Sequence, residues 1–163
     1  MTAGQVPVKI LGLFYFPYHS EQGGAFMCYF LYGAINDGIN HSDYEKIIKN
    51  TGYHFLRFGN VDSVNEGVAN CDSSYRITFH HCDCDTAIGQ KDTSKKELEA
   101  LRALLLRLQD VRGMKYVLIS KNWWKESNCR QETVHIQDVD ILHFLANMEE
   151  NCLYKLELYQ KYY

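Results

Sequence analysis

The stretch TSKKELEALRALLLRLQDVRG, residues 93–113, constrains the fold more than any other. Leu98, Leu101, Leu104, Leu105 and Leu108 recur at helical spacing, so one face of a helix over Lys95–Arg112 is apolar and must be covered. Ser94 suits an N-cap, and Glu97 stands three residues later, where a capping-box partner belongs. Gly113 ends the element, and MKYVLIS, Met114–Ser120, reads as the strand that follows. A helix with a one-sided apolar face feeding an apolar strand predicts a layered domain with helices packed on a sheet.

The other segments extend this pattern. Val6–Phe16 alternates like a strand, and Tyr53–Asn60 reads as a strand ending in a Gly-Asn turn. Ser73–Asp85 reads as a further strand. Ala25–Ile35, AFMCYFLYGAI, is apolar nearly all round and reads as a buried helix. Ser42 is placed to cap a short helix over residues 43–50, closed by Gly52. ETVHI alternates like a strand, although the residues after Cys129 also suit a helix start, and Asp140–Tyr163 reads as a terminal helix. The order β, α, α, β, β, α, β, α predicts one α+β domain over residues 1–163, with a small, mostly antiparallel sheet packed with helices.

Charge excludes some functions. Seventeen basic and 20 acidic residues give a net charge of −3, which leaves no electrostatic footprint for nucleic acid. No apolar run approaches the about 20 residues that span a bilayer, and the N-terminal residues do not read as a secretory signal. A cytoplasmic protein with reduced thiols is expected. Its six cysteines then point to a metal or a reactive thiol rather than a disulfide framework.

Two thiol constellations stand out. Cys129 follows Asn128, a favourable cap residue, and Gln131 sits where a capping-box partner would sit. A helix beginning there would lower the thiol pKa, and His54 from the neighbouring sheet would be the base. A packed, inert cysteine accounts for the same residues. The second constellation is HHCDCD, residues 80–85. On an extended strand His80, Cys82 and Cys84 share one face, Cys71 lies upstream as a fourth ligand, and zinc takes four such N and S donors. His81, Asp83 and Asp85 would then face solvent; a polar strand end with reduced thiols is the alternative. A third feature is aromatic: Tyr154, Tyr159, Tyr162 and Tyr163 with Trp123 and Trp124 would form a partner surface, or the docked face of a terminal helix.

YHFLRFG near residues 53–60 and SNCRQETV near residues 127–134 resemble the H-box and NC motifs of the H-box/NC family. That family includes the lecithin-retinol-acyltransferase-like enzymes of NlpC-type fold and the 2A proteins of some picornaviruses. The resemblance implies an NlpC-like or LRAT-like fold and a viral non-structural or accessory protein acting in the host cytoplasm. It implies Cys129 as thiolate nucleophile, His54 as its base and His80 or His81 as the group that orients the imidazole. An active member would move acyl groups through a Cys129 thioester, with backbone amides stabilising the oxyanion. Its partner would be a lipid acyl substrate or a host protein factor. Two readings without catalysis remain: a host-factor interaction protein, and a zinc-stabilised binding module built on Cys71, His80, Cys82 and Cys84.

Overall fold

The computed structural model describes residues 28–58, 76–123, 126, 128 and 130–159. Along the chain they form β1 (Tyr29–Asn36), α1 (His41–Ile48), β2 (Leu56–Phe58), α2 (Lys96–Leu108), β3 (Tyr116–Trp123), β4 (Arg130–His135), α3 (Ile141–Ala146) and β5 (Cys152–Glu157). Among the described residues the five strands make one sheet in the order β2-β1-β3-β5-β4. The two central pairings, β1 with β3 and β3 with β5, are antiparallel. The two outer pairings, β2 on β1 and β4 on β5, are parallel. The domain is therefore α+β with an antiparallel centre. The predicted strand Val6–Phe16 lies outside the described residues.

Strand alternation decides which face receives the helices. Leu31 and Ile35 of β1, Val117 and Ile119 of β3, and Cys152, Tyr154 and Leu156 of β5 form one buried cluster with the five leucines of α2, Tyr44 and Ile48 of α1, and Leu145 of α3. The intervening residues Tyr32, Ala34, Leu118 and Leu153 form a separate cluster on the opposite face. Each central strand is thus buried on both sides.

That double burial corrects the helix expected over Ala25–Ile35. Tyr29–Asn36 is the strand β1, and its last six residues are buried. A strand covered on both faces shows a continuous apolar run instead of alternation, so periodicity alone does not distinguish it from a buried helix. The terminal helix expected over Asp140–Tyr163 is likewise replaced. α3 covers only Ile141–Ala146, Asn151 turns the chain at φ 56°, and Cys152–Glu157 runs back as β5. Of the strand expected over Ser73–Asp85, residues 76–85 are described: they contribute single bridges, Tyr32 to Arg76 and Tyr53 to Thr78, and then fold into turns.

The helix caps also differ from the expected ones. Asn40, not Ser42, caps α1, its side chain accepting from Asp43 N. Lys95 occupies the N-cap of α2 without a side-chain bond, while Ser94 donates to Asp92. Glu97 turns outward from its own helix end. Its carboxylate accepts from Tyr53 Oη, Thr86 Oγ1 and Ala87 N, tying α2 to the loops before β2 and after residue 85.

Candidate metal centre

Cys28 immediately precedes β1, and residues 80–85 form a loop laid along the start of that strand. Asp83 fastens the two segments. Its amide donates to Tyr29 O at 2.9 Å, and its carboxylate accepts from Leu31 N at 2.9 Å. Thr78 Oγ1 donates to the other carboxylate oxygen at 2.6 Å, and Arg76 closes an ion pair at 3.0 Å. The Arg76 guanidinium in turn lies over the Phe30 ring. Further back, Ile77 N donates to Leu31 O, so the incoming chain is held against β1 before the loop begins.

The result is a cluster of three thiols. The sulfur atoms of Cys28, Cys82 and Cys84 all lie within 4.8 Å of one another. Tetrahedral zinc with bonds of about 2.3 Å sets its sulfur ligands about 3.8 Å apart, so separations within 4.8 Å are of the size a shared ion needs. Cys28 and Cys82 are half-buried and Cys84 is exposed. Burial, and then the neighbouring Cys84 and Cys82, push the Cys28 thiol above its ordinary value. Three thiolates side by side repel one another unless a cation sits between them, and a bound divalent ion reverses that cost.

Two of the expected ligands are therefore in the cluster, reached by a different route. Cys82 and Cys84 converge through a turn rather than along one face of a strand. Cys28 joins them, and Cys71 lies outside the described residues. His80 is exposed and lines a cleft of about 360 Å³ together with Cys82, Asp83, Asp85, Thr86 and Glu97. Asp83, expected in solvent, is 4% exposed. No spacing rule joins Cys28 to a CxC pair 54 residues away; only the pairing of this loop with β1 brings them together.

The NC and H-box segments are arranged differently. Of the two readings open after Cys129, the strand is the one that forms: Arg130–His135 is β4, and no helix terminus supplies amide donors at these residues. Asn128 Oδ1 instead accepts from Asn122 Nδ2 at the end of β3. Cys129 itself lies outside the described residues. His54 is half-buried and stacks on the exposed ring of Phe79, with centroids 6.0 Å apart. β2, which follows His54, and β4, which follows Cys129, are the opposite outer strands of the sheet, four steps of about 4.8 Å or about 19 Å apart. A thiol–imidazole pair requires contact at about 3 Å. The pH dependence of Cys129 alkylation in wild type and His54→Ala tests the pair: a midpoint that rises in the variant would establish it, and an unchanged midpoint would exclude it.

The described members of the aromatic set are dispersed. Tyr154 is buried edge-on against Phe144, Trp123 packs on Tyr29, and Tyr159 is exposed; Trp124, Tyr162 and Tyr163 lie outside the described residues. Among the described residues no helix is long and apolar enough to cross a membrane. No protein-family model, curated protein or solved structure matches the chain.

Proposed function

We propose that the chain is a metal-stabilised binding module whose ion, zinc by donor type, is held by Cys28, Cys82 and Cys84. The convergence of three thiols from two distant segments carries this reading. Thiolates select soft or borderline cations such as zinc over calcium or magnesium, which take oxygen donors. A fourth ligand would come from His80, which lines a cleft with Cys82 two residues along the chain, or from water. A metal at this point joins the head of β1 to the loop before α2, which is a structural role of the kind zinc performs in small modules.

Metal analysis of the full chain, purified reduced and without added chelator, tests the reading. About one zinc per chain is expected for wild type, and none for the double variant Cys82→Ser/Cys84→Ser. A metal-free wild type that also fails to take up zinc on titration, or a double variant that retains it, would overturn the proposal.

A further inference from the structure

The residue between the two loop thiols has no ligand role in this centre, yet it is the most thoroughly engaged side chain in the region. We propose that Asp83 is the positioning residue of the thiol centre: its carboxylate pre-forms the metal site by locking the Cys82–Cys84 loop to the strand that carries Cys28. The inference rests on the metal reading above and specifies what holds the ligands in place.

Four contacts make the case. The amide of Asp83 bonds to Tyr29 O, one residue after Cys28, and its carboxylate bonds to Leu31 N, three residues after it. Those two bonds fix the loop against the backbone next to the first ligand. Thr78 Oγ1 and Arg76, which approach from the incoming chain, also donate to the carboxylate. Arg76 also donates to His81 O, so the same cation holds the residue preceding Cys82. A charge with 4% exposure is costly unless it is paired and hydrogen-bonded, and here both conditions are met. Asp83 is buried against the backbone of β1 while Cys84 beside it is exposed and Cys82 is half-buried, so the carboxylate is engaged with the strand and the two thiols are left to meet Cys28. Ligands held by such outer partners lose less freedom when the metal arrives. Removal of one outer partner typically weakens metal affinity about 10–100-fold.

Cobalt(II) titration of the reduced full chain, followed through the sulfur-to-cobalt charge-transfer band, tests this. Asp83→Asn removes the charge and one acceptor site while keeping the shape, and its Kd for cobalt(II) is expected to rise about 10–100-fold. Its saturated spectrum should also change, because the thiolates no longer meet the ion in one geometry. Thr78→Val keeps the carboxylate and removes one bond to it, so a smaller rise in Kd is expected. Asn36→Ala is the control for general destabilisation. Asn36 is a buried anchor at the far end of β1, bonded to Gly113 O and Lys115 N, and its loss should lower the melting temperature without changing Kd.

A Kd for Asp83→Asn within twofold of wild type overturns the proposal. If Asp83→Asn lacks the circular dichroism of the folded chain, Thr78→Val decides, and an unchanged Kd there overturns it. Wild type that shows no charge-transfer band would instead remove the metal reading itself, and this positioning role with it.

Discussion

Chelation of the metal is expected to lower the melting temperature by about 8–16 °C. An ion that binds only the folded chain, free at about 1,000 times its Kd, contributes about 4.1 kcal/mol. For a chain of this size each kcal/mol moves the midpoint by about 2–4 °C. The loop that such an ion would close is long: 53 residues lie between Cys28 and Cys82, and they contain β1, α1 and β2. Differential scanning calorimetry with and without chelator measures the shift, and coincident midpoints would show that the thiols hold no stabilising ion. The chelated protein should also weaken in alkali. Burial pushes the phenols of Tyr44 and Tyr53 well above their ordinary value of 10.0. The native chain therefore keeps protons that the unfolded chain releases. Stability from these groups is fully present below the ordinary tyrosine range and is lost as pH rises through and beyond it. Metal affinity runs the other way, falling in acid because thiolate ligands must shed their protons to bind.

How far the fold was legible depends on what each element packs against. α2 is covered on one face only, so its leucines keep a 3.6-residue period, and five of them are buried where that period puts them. β3 was equally clear at its start, although it runs on through Lys121 and Asn122, two polar residues that are buried. β1 was read as a helix because burial on both sides erased the alternation that marks a strand. β5 was read as part of a helix for a different reason. Its inward residues, Cys152, Tyr154 and Leu156, alternate with Leu153, Lys155 and Glu157, but Leu153 is buried on the opposite face and breaks the binary pattern. The turn at Asn151 that separates β5 from α3 has no glycine or proline to announce it.

The candidate site was legible to the extent that its chemistry is local. CDC at residues 82–84 was visible as a ligand pair, since the donor atoms themselves are the signal. Cys28 carries no such local signal, because its proximity to the loop is created by a bridge between Tyr32 and Arg76 and by the hydrogen bonds of Asp83. Asp83 was assigned to solvent by strand alternation, a rule that fails once the segment turns. The Asn-Cys pair illustrates the converse. Its residue types suit a helix cap, yet Arg130–His135 gains a parallel ladder with β5, and that tertiary pairing overrides the local cap preference.

Gly33→Ala is expected to destabilise the protein by about 3 kcal/mol, the upper end of the usual cost of overpacking a core, and to lower the melting temperature by about 6–12 °C. Gly33 lies on the helix-bearing face of β1, between Leu31 and Ile35, directly opposite Ile119 of β3. A Cβ there would stand 2.4 Å from Ile77 Cγ2, 2.8 Å from Leu118 O and 3.0 Å from Phe55 Cδ1. The side chain of Ile77 can shift, but Leu118 O belongs to the central strand pairing and cannot shift without opening the ladder. Ile77 carries the effect to the thiol centre, because its amide is bonded to Leu31 and the next bonds along the chain are those of Thr78 and Asp83. Displacing it should therefore loosen the metal loop as well as the core, so Gly33→Ala is expected to raise the Kd for cobalt(II) along with its loss of stability. Ile77→Ala removes the nearest clashing atom. Combined with Gly33→Ala it should restore part of the stability, leaving the double variant less destabilised than the sum of the singles. Urea denaturation of the four proteins measures that coupling. Additive losses would mean that Gly33 is present for a reason other than the close approach of the Ile77 segment to β1, and the route by which this strand holds the loop would have to be sought elsewhere.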